Sequence, residues 1–179
     1  MTTIALKDDI IAADTQLTMD DVKILSSDKI IILNNDTILA AAGDVNTIHI
    51  AEKYFRQSDW EEKEKPNLLE KDKEGEYEQT LDAILIFKGK PYLVDRFLIP
   101  DAIKHPYIAV GSGWKFAMAA MHSGMSAVAA VEFASEFDVY TNNKVRWLNV
   151  KEFQENSKTR SNGRGKKRTS RMEAEEKGS

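Results

Sequence analysis

Thr2-Thr3-Ile4-Ala5-Leu6-Lys7-Asp8-Asp9-Ile10-Ile11-Ala12-Ala13-Asp14 opens the chain directly behind Met1. Two short apolar runs, Thr2–Leu6 and Ile10–Asp14, flank the polar turn Lys7-Asp8-Asp9, which is the pattern of a β-hairpin. Both alternations of these strands are apolar. A strand that is apolar on both sides has both faces covered, so the spacing predicts a sheet inside a sandwich, with helices outside it.

The rest of the chain extends that reading. Lys29–Leu33 and Thr37–Ala42 flank Asn34-Asn35-Asp36, residues that tolerate turn dihedrals. From Thr47 to Trp60 the period changes: Ile48, Ala51, Tyr54 and Phe55 fall at three- and four-residue spacing and predict a helix. A dense charged run from Glu61 to Glu78 follows, with room for a short turn near Asn67–Asp72. Asp82–Lys88 and Pro91–Arg96 form a second hairpin around Gly89, and Ile108–Val110 is a short strand closed by Gly111-Ser112-Gly113. Trp114–His122 predicts a helix stopped at Ser123-Gly124, and Ser126 caps a second helix running to Glu136. Lys144–Val150 is the last strand. Runs of strands and runs of helices, without strict alternation, indicate the α+β class.

Composition narrows the function. A hydrophobic fraction of 42% and a charged fraction of 30% over 179 residues suit one soluble domain with a sizeable core. The chain has no cysteine, which excludes disulfides, thiolate catalysis and thiolate metal sites. His49, His105 and His122 are too scattered to form a metal centre. The start carries no signal-peptide pattern, and Lys115, His122 and Gly124 interrupt the most apolar stretch, so a cytoplasmic, non-membrane protein is expected. Net charge is −4, which gives no general attraction to nucleic acid. Basic residues gather late, at Lys158, Arg160, Arg164, Lys166, Lys167, Arg168 and Arg171, with hardly any apolar partners. Residues 1–150 are therefore expected to form the domain and 151–179 a disordered charged tail. That tail lacks the interleaved aromatics that favour single-stranded nucleic acid, so a tail-mediated nucleic-acid adaptor ranks low. No phosphate-binding glycine loop is present, so the chain does not itself hydrolyse ATP.

Thr2 carries the chemistry. Were Met1 removed, this residue would hold a hydroxyl and a free α-amine together. An α-amine with a pKa of about 7.7–8.0 can take the hydroxyl's proton, which gives a nucleophile with a built-in base. Taken singly, each other candidate has an ordinary structural reading. Asp14 can end a strand, Lys29 can be a solvated edge lysine, and Gly43 can be a turn before a helix capped by Asp44. Ser112 can be a loop residue.

Several stretches taken together and in order resemble proteasome β-subunits and, within them, the bacterial proteasome-like peptidase HslV. They are Thr2-Thr3-Ile4-Ala5, Ala12-Ala13-Asp14 with Thr18 four residues on, Asp28-Lys29-Ile30, and Ala40-Ala41-Ala42-Gly43. Ile108-Ala109-Val110-Gly111-Ser112-Gly113 and Val139-Tyr140-Thr141-Asn142 continue the series. The resemblance spans residues 2 to about 150. It implies a four-layer αββα sandwich, the N-terminal nucleophile hydrolase fold, and a threonine-type endopeptidase. By position it implies that Thr2 is the nucleophile, Lys29 the cation beside it, and Asp14 the partner of Lys29. The N–H of Gly43 would form the oxyanion hole and Ser112 would contact the Thr2 amine. Asp138 and Thr141 would lie near that amine. No cofactor is required, although a Na+ or K+ ion on backbone carbonyls of Ser135, Asp138 and Thr141 is implied. The implied partners are a peptide or unfolded-protein substrate, further copies in a homo-oligomeric ring, and an HslU-like ATPase that feeds it. A catalytically inactive ring or scaffold of the same fold is the alternative. Two departures stand out. The family often has Gly-Gly where this chain has Gly43-Asp44, and it has two long helices where Gly43 to Asp82 has room for one.

Overall fold

The computed structural model describes residues 2–19, 22–66, 68 and 80–159. The opening hairpin is β1 (Thr3–Lys7) and β2 (Ile10–Asp14), paired antiparallel with Ile4 opposite Ala13. β10 (Tyr107–Gly111) and β11 (Val145–Asn149) flank it, giving a four-stranded antiparallel sheet in the order β10-β1-β2-β11. The second sheet has five antiparallel strands: β5 (Ile30–Ile32), β6 (Thr37–Gly43), β7 (Leu81–Phe87), β8 (Lys90–Asp95) and β9 (Asp101–Ala102). Between β2 and β5 the chain forms a separate two-stranded hairpin, β3 (Gln16–Met19) and β4 (Val22–Ser26), which the sequence pattern did not predict.

The two-sided apolar strands have the predicted consequence. Ile4, Leu6, Ile11 and Ala13 of the first sheet face Ile38, Ala40, Ala42, Ile84 and Ile86 of the second, forming the inter-sheet core. The alternate residues Ala5, Ala12 and Ala109 turn outward and pack under α2 (Trp114–His122) and α3 (Ala127–Ser135) through Ala117, Ala120, Ala130 and Ala134. Alanine on both surfaces lets the helices lie close to the sheet. On the other side Leu39, Ala41 and Leu85 turn outward beneath Ala51, Tyr54 and Phe55 of α1 (Val45–Phe55). The result is helix, sheet, sheet, helix: the αββα sandwich.

Three boundaries differ from expectation. α1 starts at Val45, because Asp44 caps it by accepting from the N–H groups of Asn46 and Thr47 at 2.9 and 3.1 Å. It stops at Phe55 rather than Trp60. The chain reverses there so that Trp60, on a short 3-10 turn, packs edge-on against Phe55 and Phe87 with centroids 5.0 and 5.2 Å away. The expected tail from 151 begins instead with a helix, α4, over 150–159. Val150 is buried, and Phe153 packs against the inter-sheet core. Those two anchors were too few to signal a helix by spacing. The remainder of the predicted tail, the turn near Asn67–Asp72 and most of the charged run lie outside the described residues. α1 is the single α-helix described between Gly43 and Leu81.

Candidate active site

Thr2 stands at the head of β1, the inner hairpin strand, and is 2% exposed. Its hydroxyl donates to Asp14 Oδ1. Asp14, at the end of β2, is fully buried and accepts five donors. Besides Thr2, these are the N–H of Thr3 at 2.9 Å, that of Gln16 at 2.7 Å, that of Asn142 at 3.5 Å, and Lys29 Nζ at 3.2 and 3.3 Å. Both carboxyl oxygens of Asp14 thus act as acceptors. Lys29 enters from the residue before β5. It also donates to the carbonyl of Gln16 at 2.5 Å, and its side chain is 9% exposed. Burial lowers the Lys29 pKa from its ordinary value, opposed by the charge and hydrogen bond of Asp14 and then by the charge of Asp138.

A second polar chain runs behind the Thr2 backbone. Thr3 Oγ1 and Thr141 Oγ1 are 2.6 Å apart. Thr141 donates to Asp138 Oδ2 at 2.5 Å, so Thr3 must be the donor to Thr141. Ser112 donates to the same Asp138 oxygen at 2.6 Å and lies 3.4 Å from the Thr2 carbonyl oxygen. Ser112 thus touches the Thr2 carbonyl and Asp138. Gly111 packs against the Thr2 carbonyl, and Gly43 ends β6. A Cβ on Gly111, at φ +89°, would sit 2.0 Å from the Thr2 carbonyl oxygen. Gly43, at φ +131°, is the turn from β6 to α1, where a Cβ would sit 2.1 Å from the carbonyl oxygen of Thr80. No L-residue with a side chain fits either place.

The structure therefore brings together Thr2, Asp14 and Lys29 by direct bonds, and Ser112, Asp138 and Thr141 by a second network one residue away. Ser135 is not among them. Its hydroxyl donates to the carbonyl of Glu132 at 2.6 Å, an ordinary bond within a helix end. Asp44 spends its carboxylate on the α1 N-terminus, so its charge is compensated there by the helix end. Among the described residues no group of three or more His, Asp or Glu side chains could hold a metal ion. No described helix is long and apolar enough to cross a membrane. Sequence reading missed Thr3, Gln16 and Asn142. Gln16 and Asn142 serve Asp14 through backbone N–H groups, which leave no residue-type signal. Thr3 joins both networks, through its N–H to Asp14 and its hydroxyl to Thr141.

No protein-family model and no curated protein matches this chain. Solved structures do match. HslV from Trypanosoma brucei superposes with a TM-score of 0.57 at 18% identity, covering 82% of this chain and 97% of that one. BPH from Thiobacillus denitrificans in complex with epoxomicin gives 0.59 at 21% identity, covering 82% and 96%. The same protein alone gives 0.58 at 20% identity, covering 82% and 95%. At these identities the likeness describes architecture alone. The chain has the proteasome-like, N-terminal nucleophile hydrolase fold of HslV and BPH.

Proposed function

We propose that this chain is an N-terminal threonine peptidase. The observation that supports it best is the direct bonding of Thr2, Asp14 and Lys29 at the head of the first strand. Met1 removal frees the α-amine of Thr2. The neutral amine takes the hydroxyl proton as Oγ attacks a peptide carbonyl. The Lys29 ammonium lowers the energy of the developing alkoxide, and Asp14 orients both groups. The N–H of Gly43 stabilises the oxyanion, charge that appears only in the transition state. The leaving amine departs with a proton, and water hydrolyses the acyl group from Thr2. Asp138, Ser112 and Thr141 hold the Thr2–Thr3 backbone in register. A Na+ or K+ ion, carried by the carbonyls of Ser135, Asp138 and Thr141, fits the C-terminal end of α3, where helix carbonyls leave partial negative charge.

The substrate class in this reading is unfolded polypeptide. The assembly is a closed ring of identical subunits, fed by an ATP-driven unfoldase. The rival reading, an inactive ring or scaffold, is favoured by one observation: Thr2 is 2% exposed in the chain that still carries Met1. Hydrolysis of a fluorogenic peptide separates the two. Turnover by the purified protein that Thr2→Ala abolishes supports the peptidase. Absence of turnover in a protein whose Met1 has been removed supports the scaffold.

A further inference from the structure

Gln16 is buried at 3% exposure and touches both members of the ion pair with its backbone. Its N–H donates to Asp14 Oδ2 at 2.7 Å, and its carbonyl accepts from Lys29 Nζ at 2.5 Å. Strand pairing alone gives this peptide little support. β3 and β4 form an isolated two-stranded sheet, and their register shifts between Gln16 and Thr18. A lone hairpin is marginal in water. The Gln16 carboxamide supplies a tether. Nε2 donates to the carbonyl of Val139 at 3.0 Å and to Thr18 Oγ1 at 3.1 Å. The orientation is forced, because a carbonyl oxygen cannot donate to the Val139 carbonyl. Oε1 is then buried and has no hydrogen-bond partner among the described residues. A buried orphan acceptor is rare and costs stability that an apolar side chain of the same length would not. Glutamine at this position is therefore poor for stability and well placed for holding the ion pair.

We propose that Gln16 is a positioning residue: by clasping the Val139 carbonyl, its carboxamide holds its own backbone carbonyl against Lys29 and ties the nucleophile's ion pair to the loop that carries Asp138 and Thr141. This inference rests on the peptidase reading for its effect on rate. Its effect on Lys29 is independent of that reading. The charged groups acting on Lys29 are Asp14 from β2 and Asp138 from the loop after α3. With the Gln16 carbonyl free to drift, the ammonium loses an acceptor and its charged form is less favoured.

The test uses the full chain and the variant Gln16→Met, followed by three readouts. The ε-carbon resonance of Lys29 is titrated by NMR, thermal unfolding is measured, and kcat and KM are taken with a fluorogenic peptide. The proposal expects Lys29 to titrate at lower pH than in the wild type. It also expects a thermal midpoint equal or higher, and kcat lower by roughly tenfold or more with KM little changed. An unchanged Lys29 titration overturns it, whether or not rate and stability fall together. Thr18→Ala keeps the Val139 bond and is expected to leave the Lys29 titration in place. A shift there as large as that of Gln16→Met would assign the effect to the hairpin and overturn the proposal. If Gln16→Met does not fold, Gln16→Asn carries the same expectation, since its carboxamide falls one methylene short of Val139. If the wild type hydrolyses nothing, the peptidase reading fails, and the Lys29 titration still decides the role of Gln16.

Discussion

A threonine hydroxyl is a weak nucleophile until its surroundings favour the alkoxide; the Thr2 hydroxyl meets the buried carboxylate of Asp14, which in turn holds the buried ammonium of Lys29. Removing the cation leaves the buried Asp14 carboxyl facing only neutral donors. Lys29→Ala is therefore expected to lower stability by about 3–5 kcal/mol in urea denaturation and to abolish peptide hydrolysis. The pH profile of kcat/KM should be bell-shaped. Its acid limb belongs to the Thr2 amine, which must be neutral to take the hydroxyl proton. Its alkaline limb belongs to Lys29 and falls below the ordinary 10.5, because burial disfavours the ammonium. The same shift has a stability sign. Between the folded pKa and 10.5 the unfolded chain binds more protons at Lys29, so this residue makes stability rise with pH across that window. An alkaline limb at or above the ordinary lysine value would contradict the assignment. Thr2, Asp14 and Lys29 were singled out only through the ordered resemblance to proteasome β-subunits, since each taken singly has an ordinary structural reading. Gln16 was not, because the groups it offers the ion pair are backbone ones that every residue but proline has.

At the scale of elements, like charges mark a local cost. Asp82 of β7 and Asp95 of β8 lie directly opposite each other. Burial and the neighbouring charge of Asp95 raise the pKa of Asp82 from its ordinary 3.8. The cost of the ionised form is present above the folded pKa and vanishes below 3.8, where Asp82 is neutral in both states. Asp82→Asn is thus expected to stabilise the protein at neutral pH by about 0.2–1 kcal/mol, with the gain gone in acid. Urea midpoints of both proteins at the two pH values check this, and a gain that persists in acid would point to another cause. The hairpins β1–β2, β5–β6 and β7–β8 were readable from apolar runs around turn residues. The hairpin β3–β4 was not. Gln16, Thr18 and Lys23 break the apolar pattern, and its site-side end is held by bonds to Asp14 and Val139, which lie outside the hairpin. α1 was readable as a helix but not in length, since its end depends on Trp60 returning to pack on Phe87.

For the molecule as a whole, the four-layer arrangement followed from strands apolar on both faces: one face makes the inter-sheet core, the other seats the helices. The end of the domain did not follow, because α4 is anchored by little more than Val150 and Phe153. Truncation after Thr159 is expected to leave the urea midpoint unchanged. Truncation after Val150 removes Phe153 and is expected to cost about 1 kcal/mol or more. Equal midpoints for the two truncations would return the boundary to residue 150. The central claim is that the mature chain begins at Thr2 and reacts there. Intact mass before and after exposure to epoxomicin, followed by mapping of any adduct, tests it most directly. The expected result is a chain lighter by one methionine and a single adduct on the N-terminal peptide at Thr2, absent from Thr2→Ala. A chain that keeps Met1, or one that loses it and forms no adduct, would contradict the account.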